Sequence, residues 1–192
     1  EKEYFEKYGR GTGYENQRFN PTFDKRLKEL TELGYKKGKL CDLGCAFGFF
    51  LAKAEELGFE TYGVDISKFA IDEAKKNCKA KLYQLDIARD KLPFKSNFLD
   101  IVTMFDALEH LGNYPFALQE IRRVLKNKGV LYIHSPIGER WTSDPTHINY
   151  FPLKILKLVL ERAGFSIPKI GEEGGRLQIP LGIIRLITKG NT

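Results

Sequence analysis

The sequence predicts an α/β fold, a doubly wound and mostly parallel sheet with helices on both faces. Three observations carry this. Short apolar runs alternate with amphipathic segments from Lys39 onward. A glycine turn, Gly44 to Gly48, joins the first run to the first of those segments, and carboxylates follow the second and third runs at Asp65 and Asp86. Such β-α-β alternation specifies a parallel sheet, because each right-handed crossover must lay its helix back onto the strands.

Residues 1–34 read as a helical lid, with Tyr4, Phe5 and Tyr8 on one face and Gly9, Gly11 and Gly13 interrupting the pattern. A second helix starts at Asn20 as N-cap with Pro21 in its first turn, carries Phe23, Leu27 and Leu30 on one stripe, and stops at Gly34. Strands are predicted at Leu40–Leu43, Thr61–Val64, Lys81–Leu85, Asp100–Met104 and Val130–His134. Between them lie helices over Phe49–Leu57, Lys68–Asn77 and Tyr114–Lys126; Ala70, Ala74 and Cys78 share one face, and Ala117, Ile121 and Leu125 another. A loop, Ser135–Tyr150, leads to a helix over Pro152–Ala163. The segments Ser166–Ile170 and Leu181–Thr188 are expected to pair antiparallel, with Pro168 favouring a sheet edge because proline cannot donate to a ladder. The expected organisation is one domain over residues 1–192: a lid (1–34), a core (39–135) and a substrate-side loop, helix and hairpin (136–192).

Composition narrows the function class. The chain has 192 residues with 31 Lys+Arg against 25 Asp+Glu, a net charge of +6. A domain of this size needs no disulfide or metal to hold a core. No apolar run approaches the roughly 20 residues that cross a bilayer, and no signal peptide is visible, so a cytoplasmic location is expected. The three cysteines, Cys41, Cys45 and Cys78, form no C-x-x-C pair and are expected to be reduced thiols. The basic residues fall largely near predicted helix ends, so a nucleic-acid partner is possible but not favoured.

The stretch Leu40-Cys41-Asp42-Leu43-Gly44-Cys45-Ala46-Phe47-Gly48-Phe49 is a strand, a glycine turn and a helix start, which is the layout of a nucleotide-type site. Asp65, about 20 residues after Gly44, is placed to accept the two hydroxyls of a ribose. The pattern is not G-x-G-x-x-G, and Asp42 beside the turn suits a cationic ligand better than a pyrophosphate.

Those residues resemble the first motif, D-x-G-C-G-x-G, of the class I S-adenosylmethionine-dependent methyltransferases, with Ala46 in place of the middle glycine. The resemblance covers residues 39–135 and implies a Rossmann-like, seven-stranded sheet of order 3-2-1-4-5-7-6 with the last strand antiparallel. Gly44 and Gly48 remove side chains where a ligand must approach the backbone, and the resemblance implies that Gly44 and Cys45 line the methionine part of S-adenosylmethionine. Asp65 would hold the ribose, Ile66 would pack on the adenine, Asp86 and the Ile87 N–H would meet the base, and Phe105 would floor the pocket. Tyr14 or Arg18 would meet the cofactor carboxylate, and S-adenosylhomocysteine would be the product.

On the acceptor side, Phe105-Asp106-Ala107-Leu108-Glu109-His110-Leu111 is similar to a segment of small-molecule members, and makes His110 the first candidate base. His147, in Asp144-Pro145-Thr146-His147, is the second, with Trp141 and Tyr150 completing an aromatic rim. The N/D-P-P-[YF] signature of base-methylating enzymes is absent. Ser135, Asp144 and His147 lack a G-x-S-x-G elbow and do not make a hydrolase. Cys41, Cys45 and His134 lack a fourth ligand, and no metal is expected. The expected function is methyl transfer to a small-molecule O, N or C acceptor. The alternatives are an RNA or protein methyltransferase, a non-catalytic cofactor-binding module, and a nicotinamide oxidoreductase.

Overall fold

The structure, a computed structural model, describes Tyr4, Phe5, Arg18, residues 20–136 and 144–167, and the strand segments 171–173, 176–178 and 184–186. The chain divides into two units, Glu1–Asp86 and Ile87–Thr192.

In the first unit, helix α1 (Pro21–Glu32) begins as the sequence predicts: Asn20 Oδ1 accepts from the Thr22 N–H at 3.0 Å, and Pro21 opens the first turn. It buries Leu27 and Leu30 and sets Phe23 edge-on to Phe50 at 5.7 Å. Strand β1 (Gly38–Leu43), helix α2 (Phe49–Glu56), strand β2 (Phe59–Asp65), helix α3 (Lys68–Asn77) and strand β3 (Lys81–Gln84) follow. β1 pairs parallel with β2 from Gly38↔Phe59 to Leu43↔Val64, and β2 with β3 from Tyr62↔Lys81 to Asp65↔Gln84. Leu40, Cys41 and Leu43 are fully buried, as are Val64 and, nearly, Tyr62. Consecutive burial of this kind marks a strand covered on both faces, which is why these runs are apolar rather than alternating.

In the second unit, β4 (Leu99–Phe105) and β5 (Leu125–Pro136) are parallel, with Ile101↔Val130 through Phe105↔His134 in register. Helix α4 (Tyr114–Val124) is capped by Asn113 Oδ1, which accepts from Phe116 N–H. It stops at Val124 rather than Lys126, because Leu125 already pairs with Leu99. The register then shifts before Ile101, where Lys128 adopts φ +66° beside Gly129. A Cβ on Gly129 would lie 2.9 Å from the Lys126 carbonyl oxygen. Helix α5 (Leu153–Arg162) buries Leu156 and Leu160.

The C-terminal part departs from the expected seven strands. Five strands, β1–β5, make the parallel pairings, and four short ones pair antiparallel among the described residues: β6 (Phe165–Ser166), β7 (Gly171–Glu173), β8 (Arg176–Gln178) and β9 (Ile184–Leu186). The predicted terminal pairing is present but shortened, as β6 against β9 (Phe165↔Leu186, Ser166↔Arg185), and β9 lies against β5. The additional hairpin, β7 with β8, pairs with the end of β5 at His134↔Gln178. Its sequence signal is Gly174-Gly175, a dipeptide that favours hairpin turns. Pro168 lies outside the described residues.

Of the predicted lid, Tyr4 and Phe5 are helical. Phe5 is buried, its ring 5.1 Å from Phe47 and 6.0 Å from Phe69. Helix α1 forms the second half of that predicted segment, and Gly9, Gly11, Gly13 and Tyr14 lie outside the described residues. Among the described residues, no helix is long and apolar enough to cross a membrane.

Candidate functional site

The first unit builds its site where β1 and β2 end. Gly44 turns the chain at φ +80°, and the N–H groups of Gly44 and Cys45 both donate to the Val64 carbonyl, at 2.8 and 3.0 Å. Ala46 follows at φ +46° and Gly48 at φ +74°. Gly48 is the N-cap of α2, where no side chain caps the helix start. An L-residue in this left-handed region carries a steric cost that glycine does not, and Ala46 bears it with a single methyl group.

Asp65 is the centre of this turn. Its Oδ2 accepts from the Ala46 N–H and its Oδ1 from the Ser67 N–H, both at 2.9 Å, and the side chain is buried. The carboxylate therefore shapes the glycine turn as well as the start of α3. Ile66, beside it, is 63% exposed, an apolar side chain left in water. Asp86 is half-buried. Asp42 lies buried in β1 beneath the turn. Arg18 is exposed.

Two glycines, Gly48 and Gly63, also serve close packing. A Cβ on Gly48 would come within 2.8 Å of Cys78 Sγ and 3.2 Å of Ala74 Cβ, so its bare backbone lets α3 approach the turn. Gly63, to which the sequence reading assigned no role, would meet Leu51, Leu82 and the Cys45 thiol, all under 3.0 Å. Cys45 thus has its side chain packed over Gly63, leaving its backbone to form the turn. Burial, followed by the charges of Asp65 and Asp42, pushes the Cys45 thiol well above its ordinary pKa, and Cys41 shifts the same way for the same first reason. Both are protonated packing groups.

In the second unit, Phe105 ends β4 with its ring edge-on to Tyr132 at 5.3 Å. Asp106 adopts φ +50°, donates its N–H to the His134 carbonyl at 2.8 Å, and holds His134 Nδ1 with Oδ1 at 2.9 Å. Ile87 is half-buried. A single 3-10 turn, Leu108–His110, carries Glu109 and His110. The loop that follows Pro145 is stapled to it: Ile148 and Asn149 N–H groups donate to the Glu109 carbonyl at 3.0 Å each, and Asn149 Nδ2 to the Leu111 carbonyl at 2.7 Å. Asp144 Oδ1 accepts from Thr146 N–H and Oγ1, forming the turn that presents His147.

Both candidate bases, His110 and His147, therefore stand together, their ring centroids 4.7 Å apart. Burial and the neighbouring His147 hold the pKa of His110 below its ordinary value. Glu109, missed by the sequence reading, lies between them and Ser135, whose hydroxyl donates to Oε2 at 2.9 Å. That bond gives Ser135 a structural role. Tyr150 is exposed, and Trp141 lies outside the described residues.

Comparison with known proteins matches residues 41–133 to the family described as "Methyltransferase domain". That span begins in β1 and ends in β5, and contains the glycine turn, Asp65 and the parallel strands of both units. The match agrees with the family resemblance that the glycine-turn motif carries. A solved SAM-dependent methyltransferase from Aquifex aeolicus shares the fold at a TM-score of 0.67 and 21% identity, covering 83% of this chain and 89% of that one. An uncharacterized protein of Methanocaldococcus jannaschii is 35% identical over 145 residues, 67% of this chain and 59% of the relative. A 2-phytyl-1,4-naphtoquinone methyltransferase of Trichormus variabilis is 34% identical over 120 residues, 56% of this chain and 52% of the relative. The chain thus spans between half and three-fifths of the length of these two curated relatives.

Proposed function

We propose that this chain binds S-adenosylmethionine at the glycine turn and the tip of β2, and transfers its methyl group to a small-molecule acceptor. The observation that carries the reading is the Asp65 carboxylate. Its oxygens accept the backbone N–H groups of Ala46 and Ser67, which fixes the carboxylate at the tip of β2 beside the turn, the place where a ribose diol would donate to it. Ile66 offers an apolar surface next to that carboxylate, fit for the face of a base, and Asp86 follows β3 as an acceptor for an exocyclic amine. The buried charge of Asp42 favours a cationic ligand over a pyrophosphate.

The cofactor supplies an electrophilic methyl group on a sulfonium. What remains for the protein is to hold the reactants in line and to exclude water, which accounts for much of the barrier in such displacements. A hydroxyl or ammonium acceptor must also lose a proton, and the Glu109, His110 and His147 cluster is assigned that task. His110 is kept in the unprotonated form that a proton acceptor needs. The quinone-type substrate in the name of the Trichormus relative supports a small organic acceptor.

Titration calorimetry with S-adenosylhomocysteine tests the cofactor site. Asp65→Asn keeps the side-chain shape but removes the charged acceptor, and is expected to weaken binding by about 1–3 kcal/mol. Unchanged affinity would refute the ribose assignment.

A further inference from the structure

We propose that Glu109, His110 and His147 form a binding site for a divalent metal ion of the zinc type, with a coordination position left for an oxygen ligand. One ligand atom from each residue lies within 4.8 Å of the other two, and His147 Nε2 stands 3.8 Å from Glu109 Oε1. A tetrahedral ion with bonds of about 2.1 Å sets its ligands roughly 3.4 Å apart, so small rotations about the side-chain torsions close the set. Two imidazoles and one carboxylate with a fourth position for water or substrate is a donor set of catalytic zinc sites.

The surroundings point the same way. Thr146 donates its hydroxyl to Asp144, so its Oγ1, at 3.1 Å, and its carbonyl, at 3.2 Å, face His110 Nδ1 as acceptors. The proton of His110 is therefore on Nδ1 and the lone pair on Nε2, the tautomer that a backbone carbonyl enforces in metal-ligating histidines. The Glu109 side chain is fully buried and that of His147 is 7% exposed, so the carboxylate charge sits out of water, where a cation offsets its desolvation. Ser135 Oγ, donating to Oε2, orients the carboxylate from behind. The backbone bonds from Ile148 and Asn149 to the Glu109 carbonyl hold the two ligand-bearing stretches in place. An imidazole that ligates an ion has no lone pair left to accept a proton, so the base role assigned above to the histidines holds for the ion-free chain alone.

The test uses untagged full chain, dialysed against chelator and titrated with Co2+ alone. One equivalent is expected to bind and to give the visible absorption of a four- or five-coordinate ion, displaced by Zn2+. His110→Gln and His147→Gln are expected to abolish stoichiometric binding, and Ser135→Ala to weaken it by about 10- to 100-fold. Because these variants alter a stapled turn, imidazole 15N resonances of the unaltered chain give a second reading: Zn2+ should shift those of His110 and His147 and leave His134 in place. Absence of binding, binding indifferent to both histidine variants, or His110 and His147 resonances that do not respond to Zn2+ overturns the proposal. S-adenosylhomocysteine affinity, read at Asp65, is independent of all these outcomes.

Discussion

Ala46 shows how much one methyl group decides. Its φ of +46° is a position that glycine takes without strain, yet its N–H is one of the two that Asp65 holds, and its side chain packs beside Phe5, Phe47 and Ala70. Ala46→Gly relieves the backbone but loses that packing and adds unfolded-state entropy, so the stability change is expected to stay within about 0.5 kcal/mol. Ala46→Val adds β-branching at positive φ and should cost about 1–3 kcal/mol. Urea unfolding of the pair separates backbone strain from a general intolerance of the turn. The cysteines give a second check at this scale. Cys41 and Cys45 are buried, and burial raises the pKa of all three thiols. In the folded chain at neutral pH, a disulfide reagent should leave Cys41 and Cys45 unmodified while reaching them once the chain is unfolded. Rapid native modification of Cys45 would contradict the packing over Gly63.

Helix α4 illustrates the scale of the element. Its Glu120 is buried and accepts two bonds from Arg123, at 2.8 and 2.7 Å, while the same guanidinium donates to the carbonyls of Phe94 and Leu92. Glu120 also accepts from the Leu92 N–H at 3.0 Å, so one ion pair ties the segment before β4 to the helix. Arg123→Met leaves the carboxylate without its main donor and should cost about 2–4 kcal/mol. The bonds from Arg123 lower the pKa of Glu120. A carboxylate whose folded-state pKa is depressed stabilises above its unfolded value and loses that contribution as pH falls through the folded one. Acid unfolding followed by circular dichroism should show this loss below pH ~4.5 in the parent chain, and a shallower one in Arg123→Met. Equal acid profiles would mean that the pair does not govern this segment. In sequence Glu120 and Arg123 are no more than an i,i+3 pair on a helix, and the carbonyls of Leu92 and Phe94 make it a clamp.

At the scale of the whole molecule, the parallel strands and the helices between them were legible because their signals are local. The caps Asn20, Ser67 and Asn113 all accept the helix N–H bonds that their residue types favour. The strands of the first unit run β3-β2-β1, the first half of the expected order, and the pairing of β5 with β9 and β9 with β6 follows its last part. The C-terminal count was not legible, since two- and three-residue strands carry too few residues for a period to show.

Residue order alone determined the glycine turn, the carboxylate at the tip of β2 and the family resemblance, because a turn and the strand and helix beside it are contiguous and each residue type reports its own backbone need. The partners that long-range contact selects were decided by tertiary structure: Cys78 against Gly48, Cys45 over Gly63, and Glu109 with His110 and His147. Glu109 and His147 are far apart along the chain, and no periodicity connects them. Their meeting depends on a loop folding back onto a 3-10 turn through hydrogen bonds to main-chain carbonyls, groups that every residue possesses and that sequence therefore does not distinguish.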